Sequence, residues 1–478
     1  MQSLSLLTDL YQLTMAYGYW RLKLHEREAV FHLSFRSNPF HGQYALTCGM
    51  ESVAQYLEQF RFTEEDLTYL GGLRTAKGKP LWEQGFIDFL RELRFTCDLD
   101  VIPEGFPCFS HEPLLRIQGP LLQCQLLETP LLNILNFQTL IATKAARICQ
   151  AAQGDEVIEF GMRRAQGFNG ALLASRAAYI GGCVATSNAL AGKTYDIPVR
   201  GTHGHSWVQA FADERSAFEA YASVLPENCI LLVDTYDTPQ GVLNAIEVGR
   251  QLRAQGSDLF GIRLDSGDMA ALSIEARDLL DKAGFENTKI LASNNLDEYV
   301  IKDLKERGAK ISIWGVGTNL VTAYDCPALD GVYKLSALRN TQGQWEPKLK
   351  ISSDSNKISD PGILQVRRYF SGKKPLCDVV YDLTQGIDEF PEVILLDAAR
   401  STRKVSAYDR YEDLLSPLFR KGKRVASPES IHALRDRAIQ LSADLRAQLG
   451  SGIYSLGLER KLYTTRQNLV ATLAKVDK

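Results

Sequence analysis

Two histidines lie two residues apart in a glycine-rich stretch, RGTHGHSW, at residues 200–207. The pKa of an unperturbed imidazole is near neutral, so His203 and His205 can each act as a nucleophile, a base or a metal ligand. The flanking glycines leave the imidazoles uncrowded and let a ligand approach the backbone. No glutamate or third histidine stands at a spacing suited to zinc, so we assign no residue as a metal ligand. The stretch is predicted to be a functional loop.

Other side chains in the same half of the chain suit a phosphorylated sugar. Gly315-Val316-Gly317-Thr318 can present backbone N–H groups and a hydroxyl to a phosphate. Arg163 and Arg263 can form bidentate contacts with a phosphate or a carboxylate. Carboxylates that suit sugar hydroxyls, or Mg²⁺ bound through phosphates, occur at Asp234, Asp265 and Asp268. We therefore expect a phosphosugar and a small anion as ligands.

These residues follow short β-rich runs that alternate with helical patterns between about residues 156 and 340. The predicted strands are 157–160, 183–186, 197–199, 230–233, 260–264, 290–292 and 311–314. Such alternation predicts an α/β fold with a parallel sheet, and about seven or eight units favour an irregular TIM-like barrel. Because barrel enzymes assemble their sites at the C-terminal ends of the strands, we expect the polar residues to converge there.

The two ends of the chain have a mixed α and β character. Strands are predicted at 29–35, 366–370 and 379–383, and a long buried helix at 126–150. We predict an α/β barrel at 126–345. A second α+β domain is expected to combine the N-terminal segment, 1–125, with the C-terminal segment, 346–478.

Composition excludes several classes of protein. The 478 residues carry a net charge of -3, which gives no electrostatic reason for nucleic acid to be the main partner. The nine cysteines are scattered without a Cys-x-x-Cys pair, as expected in a reducing compartment. The N-terminus does not look like a signal peptide, and no run of about 20 apolar residues could span a membrane. A soluble, cytoplasmic protein without a membrane partner is predicted.

The chain resembles the nicotinate phosphoribosyltransferase family along nearly its whole length. The motifs that carry the resemblance are TDLYQLTM (8–15), FRSNPF (35–40), EFGMRR (159–164), the 201–206 loop, LVDTY (232–236), RLDSGD (263–268) and GVGT (315–318). The resemblance implies a type II phosphoribosyltransferase fold, in which an irregular α/β barrel is joined by a domain built from both chain ends. It also implies a homodimer.

The activity implied by the resemblance joins nicotinate to 5-phosphoribosyl 1-diphosphate, giving nicotinate mononucleotide and diphosphate in NAD salvage. ATP is a co-substrate whose hydrolysis is coupled through a phosphohistidine, and Mg²⁺ is the cofactor. The family pattern Gly-Thr-x-x-His-Ser places that histidine at His205, although His203 and Gly204 depart from the usual residues. The same matching assigns nicotinate contacts to Tyr11, Thr202 and Arg263. It assigns phosphoribosyl diphosphate contacts to Arg163, Asp265, Gly315, Gly317 and Thr318.

Two other functions remain open from the sequence. A nicotinamide phosphoribosyltransferase would share the barrel and the histidine, although the N-terminal TDLY stretch and the Gly-Thr-x-x-His-Ser form favour the acid substrate. A non-catalytic phosphosugar-binding barrel would need the Gly, Arg and Asp loops but not the imidazole of His205.

Overall fold

A computed structural model describes residues 4–352, 358–396, 400–450 and 454–476. The helices are α1 (Leu10–Arg21), α2 (Met50–Glu58), α3 (Glu64–Gly72), α4 (Gln84–Glu92), α5 (Leu121–Leu126), α6 (Glu128–Ala151), α7 (Gly167–Ile180), α8 (Ala189–Tyr195), α9 (His205–Gln209), α10 (Glu214–Val224), α11 (Thr238–Ala254), α12 (Met269–Lys282), α13 (Glu298–Glu306), α14 (Thr318–Val321), α15 (Ile431–Leu449) and α16 (Arg460–Val476).

The strands, in chain order, are β1 (Glu28–Phe35), β2 (Ala45–Leu46), β3 (Asp98–Val101), β4 (Pro107–Cys108), β5 (Leu115–Pro120), β6 (Glu156–Glu159), β7 (Ala185–Thr186), β8 (Ile230–Leu232), β9 (Gly261–Leu264), β10 (Lys289–Ser293), β11 (Ile313–Val316), β12 (Gly331–Arg339), β13 (Trp345–Pro347), β14 (Leu364–Ser371), β15 (Lys374–Asp382), β16 (Glu392–Leu395), β17 (Thr402–Lys404), β18 (Arg410–Asp413), β19 (Ser416–Arg420), β20 (Lys423–Arg424) and β21 (Ser455–Glu459).

The chain divides into two compact units. Unit 1 consists of Met1–Leu140, Ala328–Ser430 and Gln440–Lys478, and unit 2 consists of Ile141–Pro327 and Ile431–Ile439. The limits predicted from sequence, 125/126 and 345/346, differ from these limits at both ends. One physical reason is β12, which lies within the range predicted for the barrel but pairs antiparallel with β1 of unit 1. We keep the predicted limits as a proposal for independently folding domains.

Unit 2 contains the predicted parallel sheet. Its six strands run in the order β7-β6-β11-β10-β9-β8, and every neighbouring pair is parallel. Apolar residues of the strands form a buried cluster that includes Ile158, Ala185, Leu291 and Ile313. Strands buried on both faces read as nearly continuous apolar runs, and such runs marked most of these strands in the sequence. The prediction of an α/β fold with a parallel sheet is confirmed.

A closed barrel is not seen among the described residues, because the hydrogen-bonded sheet ends at β7 and β8. The predicted strand at 197–199 forms a single bridge, between Val199 and Thr186 of β7. Its proline explains why the pairing stops, since Pro198 has no N–H to donate to a ladder. The glycine-rich loop with the two histidines follows directly.

The helices that follow β8, β9 and β10 begin in the same way. Asp237, Asp268 and Asp297 cap the N-termini of α11, α12 and α13, each accepting hydrogen bonds from backbone N–H groups of the first turn. Asp268 is also paired with Arg307 at 2.6 Å. Its carboxylate therefore has a structural task, and it is not one of the groups that meet at the candidate site.

Unit 1 combines antiparallel and mixed sheets. A seven-stranded sheet runs β13-β12-β1-β5-β3-β19-β20, and a six-stranded sheet runs β17-β16-β21-β15-β14-β18. β14 and β15, which overlap the strands predicted at 366–370 and 379–383, pair antiparallel. No helix in the described ranges has both the length and the apolar character that crossing a bilayer requires.

Candidate active site

Polar side chains converge at the C-terminal ends of the parallel strands of unit 2. The loop after β7 supplies Thr202 and His205, and the turn after β8 supplies Asp234 and Thr235. The remaining members come from β9, the turn after it and the end of β10: Arg263, Asp265 and Ser293. Hydrogen bonds and ion pairs of 4 Å or less join these residues into one cluster. Four of the residues predicted for the site, Thr202, His205, Arg263 and Asp265, are thus brought together.

His205 is the first residue of α9, directly after the extended Gly204. Its side chain is 40% exposed. Nδ1 lies 3.1 Å from the hydroxyl of Thr235, while Nε2 lies 3.7 Å from Oδ2 of Asp265 and 3.9 Å from Oδ1 of Asp234. One ring nitrogen is therefore held by a hydroxyl, and the other faces two carboxylates on an accessible side. This arrangement can orient a nucleophilic imidazole and stabilise positive charge beside it.

Nearly all the N–H groups of the Arg263 guanidinium donate hydrogen bonds to other groups of the protein. Nε donates to Ser293 at 2.9 Å, and Nη1 donates to the Thr202 hydroxyl at 2.7 Å and to the His203 carbonyl at 3.2 Å. Nη2 donates to Asp265 at 3.1 Å. Because a guanidinium has five N–H groups, one N–H of Nη2 is left for a ligand. The bidentate contact with a phosphate or a carboxylate that the sequence suggested would require one of these hydrogen bonds to break.

Asp265 and Asp234 are the two carboxylates of the cluster, and each has its own set of partners. Burial would raise the pKa of Asp265, but the hydrogen bond from Ser293 and the charge of Arg263 outweigh it, and the pKa is lowered. Asp234 accepts hydrogen bonds from the backbone N–H of Asp265 and from Ser266 through Oδ2. Its Oδ1 is buried and has no hydrogen-bond partner. A buried carboxylate oxygen without a partner indicates room for a cation or a donor from a ligand.

The donor set bears on whether Mg²⁺ fits this cluster. Within the described ranges, no group of three or more His, Cys, Asp and Glu side chains is arranged to hold a metal ion. Mg²⁺ usually keeps several waters and is bound through one or two carboxylates together with substrate phosphates. The unpartnered oxygen of Asp234 and the neighbouring carboxylate of Asp265 match that mode. The residues therefore fit a Mg²⁺ ion that arrives with a phosphorylated ligand.

The predicted phosphate loop, Gly315–Thr318, lies on the adjacent strand. Gly315 stands opposite Ser293 in the β10–β11 ladder. A Cβ on Gly315 would come within 2.6 Å of the Phe160 ring, so the close packing of β6 on β11 requires glycine there. Thr318 begins the four-residue helix α14, and the first N–H groups of a helix have no acceptor within it. The loop can therefore offer backbone donors to an anion, although so short a helix adds little dipole.

The turn with Arg163 packs against this loop. The N–H of Phe160 donates to Val316 at 2.8 Å, and a Cβ on Gly161 would lie 2.8 Å from the carbonyl oxygen of Gly317. Arg163 follows in a short 3-10 turn and is exposed. Its guanidinium is thus available beside the phosphate loop of the same unit.

Tyr11 is not among the residues that unit 2 brings together. It lies on α1 of unit 1, with 49% of its surface exposed. Burial, followed by the charges of Glu128 and Asp9, raises the pKa of its hydroxyl. Its contact with nicotinate remains a prediction.

Sequence reasoning missed a polar cavity in unit 1. The cavity has a volume of about 50 Å³, and Arg36 and Lys334 are among its lining residues. His32 lines it as well, accepting a hydrogen bond from Leu364 N–H through Nε2, while its buried Nδ1 has no partner. Asp360 also lines the cavity, so its lining carries both positive and negative side chains. Arg36, within the FRSNPF motif, was the signal that could have pointed to it.

Comparisons with known proteins identify the family of this chain. A family model described as the nicotinate phosphoribosyltransferase (NAPRTase) N-terminal domain matches residues 6–136. The chain is 50% identical over 368 residues to the nicotinate phosphoribosyltransferase of Bacillus subtilis (strain 168), covering 77% of this chain and 73% of that protein. It is 35% identical to the nicotinate phosphoribosyltransferase of Dictyostelium discoideum over an alignment 526 positions long, covering 97% of this chain and 88% of that protein.

Similarity extends to a solved structure. Human nicotinic acid phosphoribosyltransferase matches with a TM-score of 0.84 and 30% sequence identity, over 97% of this chain and 100% of that chain. Sequence identity at this level over most of both partners, together with the same fold, is decisive. The chain belongs to the nicotinate phosphoribosyltransferase family.

Proposed function

We propose that this protein joins nicotinate to 5-phosphoribosyl 1-diphosphate, giving nicotinate mononucleotide and diphosphate, as a step of NAD salvage. The observation that carries the proposal is the cluster in unit 2, where His205, Arg263 and Asp265 adjoin a glycine-rich phosphate loop. Similarity to proteins named nicotinate phosphoribosyltransferase along nearly the whole chain supports the same substrates.

The chemistry is a substitution at C1 of the ribose. The bond from C1 to the diphosphate oxygen breaks, leaving an oxocarbenium-like sugar, and the pyridine nitrogen of nicotinate donates its electron pair to form the new C–N bond. Gly315, Gly317 and Thr318 would bind the 5-phosphate, with Arg163 as a neighbouring cation. Asp265 would accept hydrogen bonds from the ribose hydroxyls. The site would accelerate the reaction by holding both reactants in line and by placing charged groups where charge develops in the transition state.

We further propose that ATP hydrolysis is coupled through His205. If Nδ1–H donates to Thr235, the free electron pair lies on Nε2. Nε2 then forms a bond to the γ-phosphorus of ATP as the bond from that phosphorus to the ADP oxygen breaks. Water later breaks the N–P bond and releases phosphate. While present, the phosphoryl group adds about 1.5–2 negative charges, which would order cations around the diphosphate.

Asp234 and Asp265 are the residues that would hold Mg²⁺ beside these phosphates. When bound, the ion would supply positive charge to phosphate oxygens as negative charge develops on them. Their carboxylates, only 1% and 27% exposed, also lie 3.9 and 3.7 Å from Nε2 of His205, where they would stabilise positive charge on the ring. Ser293 and Arg263 hold Asp265 in place.

Choice between the acid and the amide would rest on Arg263. Its remaining N–H can donate a charge-assisted hydrogen bond to the carboxylate of nicotinate, which is stronger than a bond to a neutral amide. Thr202, held by Arg263 at 2.7 Å, would line the same side. Tyr11 is proposed as a contact to the pyridine ring.

One assay separates the proposed function from its rivals. Labelled nicotinate and labelled nicotinamide are compared as substrates with phosphoribosyl diphosphate, with and without ATP. We expect nicotinate mononucleotide, faster with ATP. Turnover of the amide alone would make the protein a nicotinamide phosphoribosyltransferase, and tight phosphosugar binding without turnover would make it a non-catalytic binding protein.

The remaining expectations are proposals of the same kind. We propose an irregular barrel in unit 2, and its support is that the segment between β7 and β8 bonds to both: Arg200 N–H donates to Thr186, and Leu232 N–H donates to His203. We also propose a cytoplasmic homodimer, which light scattering and cell fractionation would test.

A further inference from the structure

At the outer edge of β8, a side chain accepts a hydrogen bond from the backbone of the strand. In a parallel strand, alternate N–H groups point to opposite edges, and Val233 N–H donates to Arg263 of β9 at 3.1 Å. Leu232 N–H therefore points to the open edge, where its acceptor is Nε2 of His203 at 3.2 Å. An unpaired N–H buried there would be costly.

The side chain of His203 is buried in this position. It is only 8% exposed, and its ring packs against Tyr221 and Phe218 with centroid distances of 4.7 and 6.2 Å. Because Nε2 accepts a hydrogen bond, the proton of the neutral imidazole resides on Nδ1, which lies 3.3 Å from the carbonyl oxygen of Gly204. Both ring nitrogens are thus occupied by backbone groups, and neither is open to a phosphoryl group.

In addition to the two hydrogen bonds of its ring, His203 makes a third through its main chain. Its carbonyl accepts from Nη1 of Arg263, the same nitrogen that donates to Thr202. Side chain and main chain together tie this loop to β8 and β9. Two residues later the loop places His205 against Asp265 and Asp234.

We propose that His203 is a positioning residue, which takes the place of a neighbouring strand at the open edge of β8 and thereby fixes the loop that presents Thr202 and His205. The proposal rests on the role given to His205 under the proposed function. It assigns different roles to the two histidines: His203 is neutral and structural, and His205 is accessible to the substrate.

The charge state of the ring agrees with this geometry. Burial, aided by the charges of Arg263 and His205 and opposed by the hydrogen bond to Gly204, lowers the pKa of His203 to about 4. The groups that face it from the packed elements are Arg263 of β9, His205 of α9 and the uncharged ring of Tyr221 on α10. The imidazole therefore keeps its acceptor nitrogen at any pH at which the enzyme would work.

The test compares two substitutions of full-length protein. His203→Leu keeps bulk but removes the acceptor, whereas His203→Gln places an amide oxygen within reach of Leu232 N–H. Loss of a buried hydrogen bond corresponds to about tenfold in an equilibrium. We expect His203→Leu to slow labelling of His205 by γ-labelled ATP about tenfold or more and to raise the KM for nicotinate similarly. The KM for phosphoribosyl diphosphate, measured without ATP, should not change, because the Gly315–Thr318 loop is not attached to this segment.

His203→Gln should restore both quantities to within about threefold of the unsubstituted protein. His432→Leu is a matched control, since His432 is a histidine of unit 2 whose Nδ1 lies 2.7 Å from the hydroxyl of Tyr179, outside the cluster. A general loss of stability would lower the active fraction equally for both substrates, so a change confined to nicotinate identifies positioning.

Three outcomes would overturn the proposal. The first is a folded His203→Leu protein with unchanged labelling and unchanged nicotinate KM. The second is a Gln variant as impaired as the Leu variant. The third, which needs no variant, is an imidazole ¹⁵N spectrum showing a proton on Nε2 of His203 at neutral pH. Labelling that persists in His205→Ala would instead refute the proposed role of His205, and the ¹⁵N spectrum would still decide the geometry of His203.

Discussion

Arg263→Lys keeps a positive charge but removes the planar group that joins the cluster. The free guanidinium N–H would give nicotinate one charge-assisted hydrogen bond, worth about 1.5–3 kcal/mol. Each 1.4 kcal/mol corresponds to about a factor of ten. We therefore expect the KM for nicotinate to rise roughly 10- to 150-fold. A neutral amide loses a bond of about 0.5–1.5 kcal/mol, so the KM for nicotinamide should rise only roughly 2- to 13-fold.

The measurement is steady-state kinetics with both substrates at saturating phosphoribosyl diphosphate. Arg277→Lys is the matched control, because Arg277 lies on α12 of the same unit but away from the cluster. Its guanidinium donates to the carbonyls of Thr288 and Phe285. The control is expected to lose stability in a urea titration and to keep both KM values. An Arg263→Lys enzyme with unchanged preference for the acid would refute the assignment.

The other predictions concern coupling, the phosphate loop and the buried charges. His205→Ala should abolish ATP hydrolysis and ATP stimulation with an unchanged circular dichroism spectrum, whereas label still transferred from ATP would reject the assignment. Gly317→Val should weaken phosphoribosyl diphosphate binding in calorimetry, because even its Cβ would lie 3.2 Å from a backbone oxygen; unchanged affinity in a folded variant would make the loop an ordinary turn. Lys144→Met removes the buried cation that lies 2.6 Å from Asp325 and 2.7 Å from Glu298, so that Glu298 keeps only its ion pair with Arg147. The substitution should lower the free energy of unfolding in urea by about 3–5 kcal/mol; a loss under about 1 kcal/mol would contradict this.

Much of unit 2 could be predicted from the sequence because its signals are local. Apolar runs followed by Asp, Gly or Arg marked the strands, and the position of those polar residues at strand ends brought Thr202, His205, Arg263 and Asp265 together. Proximity at the end of a parallel sheet follows from topology alone, without knowledge of side-chain packing.

What the sequence could not predict depends on pairing between distant segments. Nothing local in β12 indicates that it pairs with β1, about 300 residues earlier. The four bonds of Arg263 require two distant segments, the 202–203 loop and the end of β10, to be in place beside Asp265. Equally, the family pattern selects His205, but nothing in the sequence shows that His203 is buried against Tyr221 while His205 is accessible.

The pairing of β1 with β12 has a consequence for the order of folding. The chain leaves unit 1 at Leu140 and returns at Ala328, so nearly all of unit 2 is synthesised before β12 exists. During that interval β1 can pair with β5 on one side only, and its other edge is open. Open edges recruit strands from other molecules. A nascent chain of this protein is therefore most vulnerable to aggregation after β5 has emerged and before Gly331–Arg339 has, and a chaperone that covers β1 over this period would raise the yield of folded protein.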